Sequence, residues 1–166
     1  MTDTPTHESP TAGYRGDQTP LAAYAGLMTT FTAVAGGVGL VAIRSGRANR
    51  HLAWSDLALV AVGVHRLSRL ITKDRVTSAM RAPFVEYQGT GLPSELEETP
   101  RGGGARLAVG QLLNCPYCLG EWLSLAGVAG LIFAPRPTRL AATVLSVATV
   151  ADILQELYVQ LSPVER

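Results

Sequence analysis

From Leu21 to Ile43 the chain runs for 23 residues without a charged side chain. As a helix rising 1.5 Å per residue this stretch is about 35 Å long, enough to cross a bilayer core of ~30 Å with some tilt. Three more apolar stretches follow, and the spacing predicts spans over about 21–43, 52–71, 116–134 and 138–161. Short turns at 44–51 and 135–137 make these two antiparallel helix hairpins packed as one bundle. The expected fold is therefore an all-α, polytopic four-transmembrane-helix bundle. Totals of 47% apolar and 16% charged residues would also suit a soluble globule. Their distribution decides, because long uncharged runs alternate with short arginine-rich ones.

The ends read differently. Residues 1–20 are rich in Thr, Pro, Ser, Gly and acids and are expected to be a disordered tail, with 162–166 a short C-terminal one. The leader carries one arginine and the first apolar run is too long for a signal-peptide core, so that run reads as a retained anchor. A net charge of +1 without any basic block points away from nucleic acid. The implied surroundings are the lipid bilayer of the plasma membrane, with a second copy or another membrane protein as partner. No internal repeat is visible.

The long loop, 72–115, divides into three. Thr72 to Gln88 places Val76, Met80, Phe84 and Val85 near helical spacing among Lys73, Arg75 and Arg81, which predicts an interfacial amphipathic helix broken at Pro83. Gly89 to Gly104, with its glycines and glutamates, reads as a mobile loop. Residues 105–114 return as a short helix. In the first span, Gly36, Gly37, Gly39 and the Ala33-xxx-Gly37 spacing suit either close approach by another helix or ordinary membrane tolerance of glycine.

Charges recur inside the spans. Counted from the span starts, Arg66 and Arg69 lie at the same depth as Asp152 and Glu156. Ionisable groups at mid-membrane cost at least ~2.5 kcal/mol each and so face inward and pair. Arg66 and Arg69 are separated by about 60° on a helical wheel, so salt bridges from Arg66/Arg69 to Asp152/Glu156 are predicted. They would either hold the bundle together or line an ion or proton path. Glu121, in the first turn of the third span, suits the helix dipole or one of these arginines. Asp56 lies near the opposite end, within reach of Arg44, Arg47, Arg50 or Arg139, and His65 reads as a packing residue rather than a ligand.

The two cysteines stand in Asn114-Cys-Pro-Tyr-Cys-Leu-Gly-Glu-Trp122. Pro116 favours the first helical position, which puts Cys115 at the N-cap and Cys118 in the first turn. That arrangement suits thiol–disulfide exchange, with Cys115 attacking and Cys118 resolving. Cys-Pro-Tyr-Cys is also a glutaredoxin-like tetrapeptide, but the flanks show no strand-helix-strand unit. A metal centre typically needs four ligands and this pair supplies two; His51, His65 or a second subunit would have to complete it, so no metal and no cofactor are assigned. The structural alternative is a helix start packed closely on its neighbours, with Tyr117 and Trp122 as interfacial anchors.

His65-Arg-Leu-Ser-Arg-Leu-Ile-Thr-Lys-Asp74, then Arg81, then Cys115-Pro-Tyr-Cys-Leu-Gly-Glu-Trp122 resembles a small bacterial membrane family, the domain of unknown function 1360. The likeness extends from the second span to the fourth. It places Arg66, Arg69, Asp74, Cys115, Cys118, Gly120 and Trp122 on the family's motif positions, and departs at Glu121, where the pattern is apolar or aromatic. It implies no activity. The leading reading is a non-enzymatic structural or regulatory membrane component; a thiol–disulfide exchanger and a small-solute or proton transporter are the alternatives. Arginines after the first span and at 136 and 139 favour a cytoplasmic first turn, but the long loop is nearly as basic, so the charge count leaves orientation open.

Overall fold

A computed structural model describes residues 20–49 and 51–162. The expectations for the N-terminal tail, for Arg50 and for the last four residues fall outside that range. The elements in order are α1 (Leu21–Arg44), α2 (Trp54–Thr72), a 3-10 turn (Arg75–Thr77), the single-turn helix α3 (Ser78–Arg81), β1 (Val85–Thr90), β2 (Leu96–Pro100), α4 (Gly104–Asn114), α5 (Pro116–Phe133) and α6 (Pro135–Leu161). The protein is mostly helical. Helices α1, α5 and α6 are long and apolar enough to cross a membrane, and only 6% of each apolar window is buried within the protein, so their apolar side chains face outward.

Helix α2 is the hub, packed on both α5 and α6. Val60, Leu131 and Ala142 form the buried core with Leu57, Leu59 and Val64 around them. Two glycines set the close approach. A Cβ on Gly63 would lie 3.2 Å from the Ala142 Cα, and one on Gly127 would lie 2.6 Å from Val60 Cγ1. Backbones can come this near only where side chains are small. At Gly36, Gly37 and Gly39 an added Cβ would meet nothing within 4 Å, so the close approach lies elsewhere than the sequence suggested. Helix α1 is attached at two points: Phe31 stacks edge-on against Trp122 at 5.2 Å, and Tyr24 Oη donates to Gln111 Oε1.

Helix α1 ends in a Schellman turn. Gly46 takes the left-handed conformation (φ +67°), and the N–H groups of Gly46 and Arg47 reach the carbonyls of Ile43 and Ala42. Prolines open α5 and α6 at the first helical position, where a missing N–H costs nothing.

The long loop corrects the all-α expectation. No interfacial helix runs from 72 to 88; the helical part is one 3-10 turn and one α-turn. The segment read as mobile pairs instead as an antiparallel hairpin, with Val85 opposite Pro100 and Thr90 opposite Leu96. Asp74 bridges to Glu95, with Arg75 N–H donating to Ser94 O (2.9 Å) and Leu96 N–H to Lys73 O (3.0 Å). The chain leaving α2 thus adds a short third rung to the hairpin. Val85 and Tyr87 alternate with polar residues, and Gly91-Leu92-Pro93-Ser94 supplies turn chemistry, which was the available strand signal. Helix α4 backs this head: a Cβ on Gly110 would fall 2.6 Å from the Phe84 carbonyl oxygen.

Candidate functional site

The head is held to the bundle by three arginines, each on a carboxylate. Arg66, from the last turns of α2, lies between Asp74 and Asp152 at 3.3 Å from each. Arg69, one turn on, pairs with Glu95. Because Asp74 and Glu95 are bridge partners in the sheet, two arginines on one helix face meet two carboxylates on adjacent strand positions. The predicted bridge from Arg66 to Asp152 is present. The predicted bridge from Arg69 to Glu156 is not, because Glu95 takes that guanidinium; Glu156 Oε1 accepts from Gln160 Nε2 at 2.9 Å instead.

Arg81 is fully buried and bonds Glu98 at 2.6 Å, itself 4% exposed. Its Nη1 also donates to the carbonyls of Ile71 (2.7 Å) and Asp74 (3.1 Å) and to Thr77 Oγ1 (2.7 Å). One cation therefore satisfies the end of α2, the 3-10 turn and β2 together. Such charge-assisted bonds to otherwise orphaned helix-end carbonyls are what a buried helix terminus requires. Asn114 extends the network, donating to Glu98 O (2.8 Å) and accepting from Lys73 Nζ (3.2 Å). Sequence reasoning placed Arg81 on an amphipathic helix and left Glu95 and Glu98 in a loop, so it missed this centre.

Beside the clamp, Arg66, Arg69, Asp152, Gln155 and Glu156 line a pocket of about 600 Å³, walled by Leu92, Ile153 and Val159. At the far end of the bundle Asp56 accepts both Arg139 Nε (2.8 Å) and Nη2 (2.6 Å), a bidentate pair. Between the two charged ends, α2, α5 and α6 form an open groove of about 310 Å³ lined almost wholly by apolar residues such as Val60, Leu123 and Leu145.

Cys115 is the N-cap of α5, and its Sγ accepts the Cys118 N–H at 3.2 Å. Both thiols are free; Cys118 is exposed and Cys115 half-buried. Tyr117 is 86% exposed, whereas Trp122 packs on Phe31. Glu121 is exposed and forms no ion pair among the described residues. His65 is exposed, not packed as expected, and Gly120 faces open space. Among the described residues no three His, Cys, Asp or Glu side chains converge to hold a cation.

Comparison with known proteins adds a family. The sporulation protein YjcA of Bacillus subtilis (strain 168) is 27% identical over 104 residues, covering 61% of this chain and 88% of that protein. No solved structure matches. The family model described as "Protein of unknown function (DUF1360)" matches residues 59–158, a stretch running from α2 through the head and cysteines to the end of α6, and the chain belongs to that family.

Proposed function

We propose that the protein is a four-span component of the plasma membrane whose role is structural or regulatory rather than enzymatic, with the hairpin head as the surface it offers to a membrane-protein partner or second copy. The observation that carries this reading is the commitment of Arg66 and Arg69 to carboxylates that join α2 to the head and to α6, with Arg81 tying the Ile71 carbonyl at the end of α2 to Glu98 of the head. Their charge is used in assembly. The side chains lining the groove between the two charged ends are almost wholly apolar and offer no continuous polar path, which disfavours the transporter alternative.

In this reading α2 is the fourth span. Its 19 residues make about 28 Å, its charges sit in the end turns, and α5 and α6 cover it on two sides. Buried Ser68 and Thr72 satisfy their hydroxyls on the preceding turn, at His65 O (2.9 Å) and Ser68 O (2.7 Å). The test is extraction followed by charge exchange. The protein should stay with membranes in alkaline carbonate and leave them in detergent, and Arg69→Glu should expose the head to protease unless Glu95→Arg accompanies it. Release by carbonate, or an Arg69→Glu variant with an intact head, would sink the reading.

A second reading is favoured by the Cys115 Sγ contact with Cys118 N–H and by the exposure of Cys118. Here the Cys115 thiolate attacks a partner protein's disulfide and Cys118 displaces the partner from the mixed disulfide. The partner leaves as a dithiol, and the pair, having given up two electrons and two protons, becomes a disulfide. A Cys115→Ser/Cys118→Ser chain that fully replaces the original in cells would eliminate it. The similarity to a sporulation protein supports a developmental setting and names no reaction.

A further inference from the structure

The two ends of the bundle differ in how their cations are occupied. At the head end Arg66, Arg69 and Arg81 are paired with carboxylates, Lys73 is bonded to Asn114, and Arg101 and Arg106 are turned onto the carbonyls of Ala82 and Pro83, which leaves Arg75 exposed without a side-chain partner among the described residues. Glu86, Glu97, Glu121 and Glu156 there have no cationic partner among the described residues. Bonds to an amide or a carbonyl leave a cation its charge, but among the described residues seven cations at that end meet eight carboxylates, so it is close to neutral although its sequence is rich in arginine.

The opposite end is the reverse. Arg44 at the end of α1, Arg47 in the turn after it, and Arg136 and Arg139 in the first turns of α6 are all exposed, against one carboxylate among the described residues there, Asp56, which Arg139 already holds. Arg47 lies 6.0 Å from the centre of the Phe133 ring, which ties the α1–α2 turn to the α5–α6 turn and gathers these cations on one face. Arg44 and Arg136 have no side-chain partner among the described residues. Exposed apolar Ile43, Phe133 and Leu140 border the same face.

We infer that this arginine face is a binding surface for anionic phospholipid headgroups, which seats the two turns on the cytoplasmic leaflet and turns the head and its thiol pair outward. Counting Lys and Arg left orientation undecided; the carboxylates break the tie, because they offset the cations at the head end, whereas Arg44, Arg47 and Arg136 keep an excess of positive charge to meet lipid phosphate. Cys115 and Cys118 then lie where an oxidising compartment joins them in a disulfide. The inference rests on the four-span reading, and the experiment separates the two.

Carbonate-washed membranes come first: loss of the full-length protein to the supernatant removes the four-span reading itself. With the protein retained, single cysteines are introduced at Ala48 in the turn and Gly103 in the head, in a Cys115→Ser/Cys118→Ser chain. An impermeant maleimide added to intact cells should label Gly103→Cys and leave Ala48→Cys unlabelled until the membrane is broken. The reverse pattern, labelling at both, or silence at Gly103→Cys overturns the orientation. For the lipid surface, detergent-solubilised protein is titrated with phosphatidylglycerol and with phosphatidylcholine by native mass spectrometry. Replacing Arg44 and Arg136 by Gln should weaken phosphatidylglycerol binding roughly 30-fold, with phosphatidylcholine unchanged. Equal effects on both lipids, or none, overturn the assignment.

Discussion

Removing the Glu98 carboxylate isolates the energetics of the head. Arg81 is completely buried and its ion pair with Glu98 is 2.6 Å long, so Glu98→Gln leaves a guanidinium charge without its counterion in a site closed to water. Breaking a buried pair from one side costs about 3 to 5 kcal/mol, most of it the desolvated charge left behind. Since each 1.4 kcal/mol is tenfold, the opening equilibrium of the head should rise by roughly 10² to 10³·⁵. The bundle, held by α2, α5 and α6, should stay folded. Hydrogen exchange of the β1 and β2 amides in detergent micelles reads this directly, and protease sensitivity near Leu92 gives a second readout. Removing both charges, as Arg81→Met with Glu98→Leu, should recover most of the loss, because a well-packed apolar pair is often no worse than a buried ionic one. A threefold or smaller change for Glu98→Gln would refute the reasoning, and so would a double variant less protected than the single one.

Other substitutions test the rest of the frame. Gly127→Ala should destabilise the helix core by about 1–3 kcal/mol through the Val60 Cγ1 clash, and Val60→Ala in the same chain should relieve part of it, as thermal unfolding in detergent would show. Gly110→Ala drives a methyl toward the Phe84 carbonyl and should loosen α4 from the head, seen as faster exchange at Arg101 N–H, which donates to that oxygen. Cys115→Ser keeps a capping acceptor for the Cys118 N–H, whereas Cys115→Ala removes it; the alanine chain should be less stable than the serine chain by about 0.5–2 kcal/mol.

The helices were readable because lipid-length apolar runs have few ways to fold. The helices at 21–44, 54–72, 116–133 and 135–161 begin and end within three residues of the apolar runs in the sequence. The N-cap at Cys115 was readable too, since Pro116 fixes where a helix can begin. The head was not. Its strands carry Glu86, Glu97 and Glu98, with Glu95 just before β2, at positions where β-branched residues would signal a sheet, and their pairing is stabilised from outside by arginines 17 and 26 residues away. The helical wheel found the correct face for Arg69 and the wrong acid. Glu156 stood at a suitable depth on a visible helix, while Glu95 lay in a stretch whose order depends on contacts no local pattern records. In the same way, glycines in the uncharged first span drew notice, although the helices approach closely at Gly63, against the Ala142 backbone, and at Gly127, against the Val60 side chain.

The triangle of Arg66 with Asp74 and Asp152 also sets a schedule for biogenesis. Asp74 emerges from the ribosome 8 residues after Arg66 and Asp152 emerges 86 residues after it. At ~5–20 residues per second the nearer acid arrives within about two seconds and the farther one only after about 4 to 17. On the four-span reading, Asp74 is therefore the acid available to hold the Arg66 cation during the interval before α6 brings Asp152.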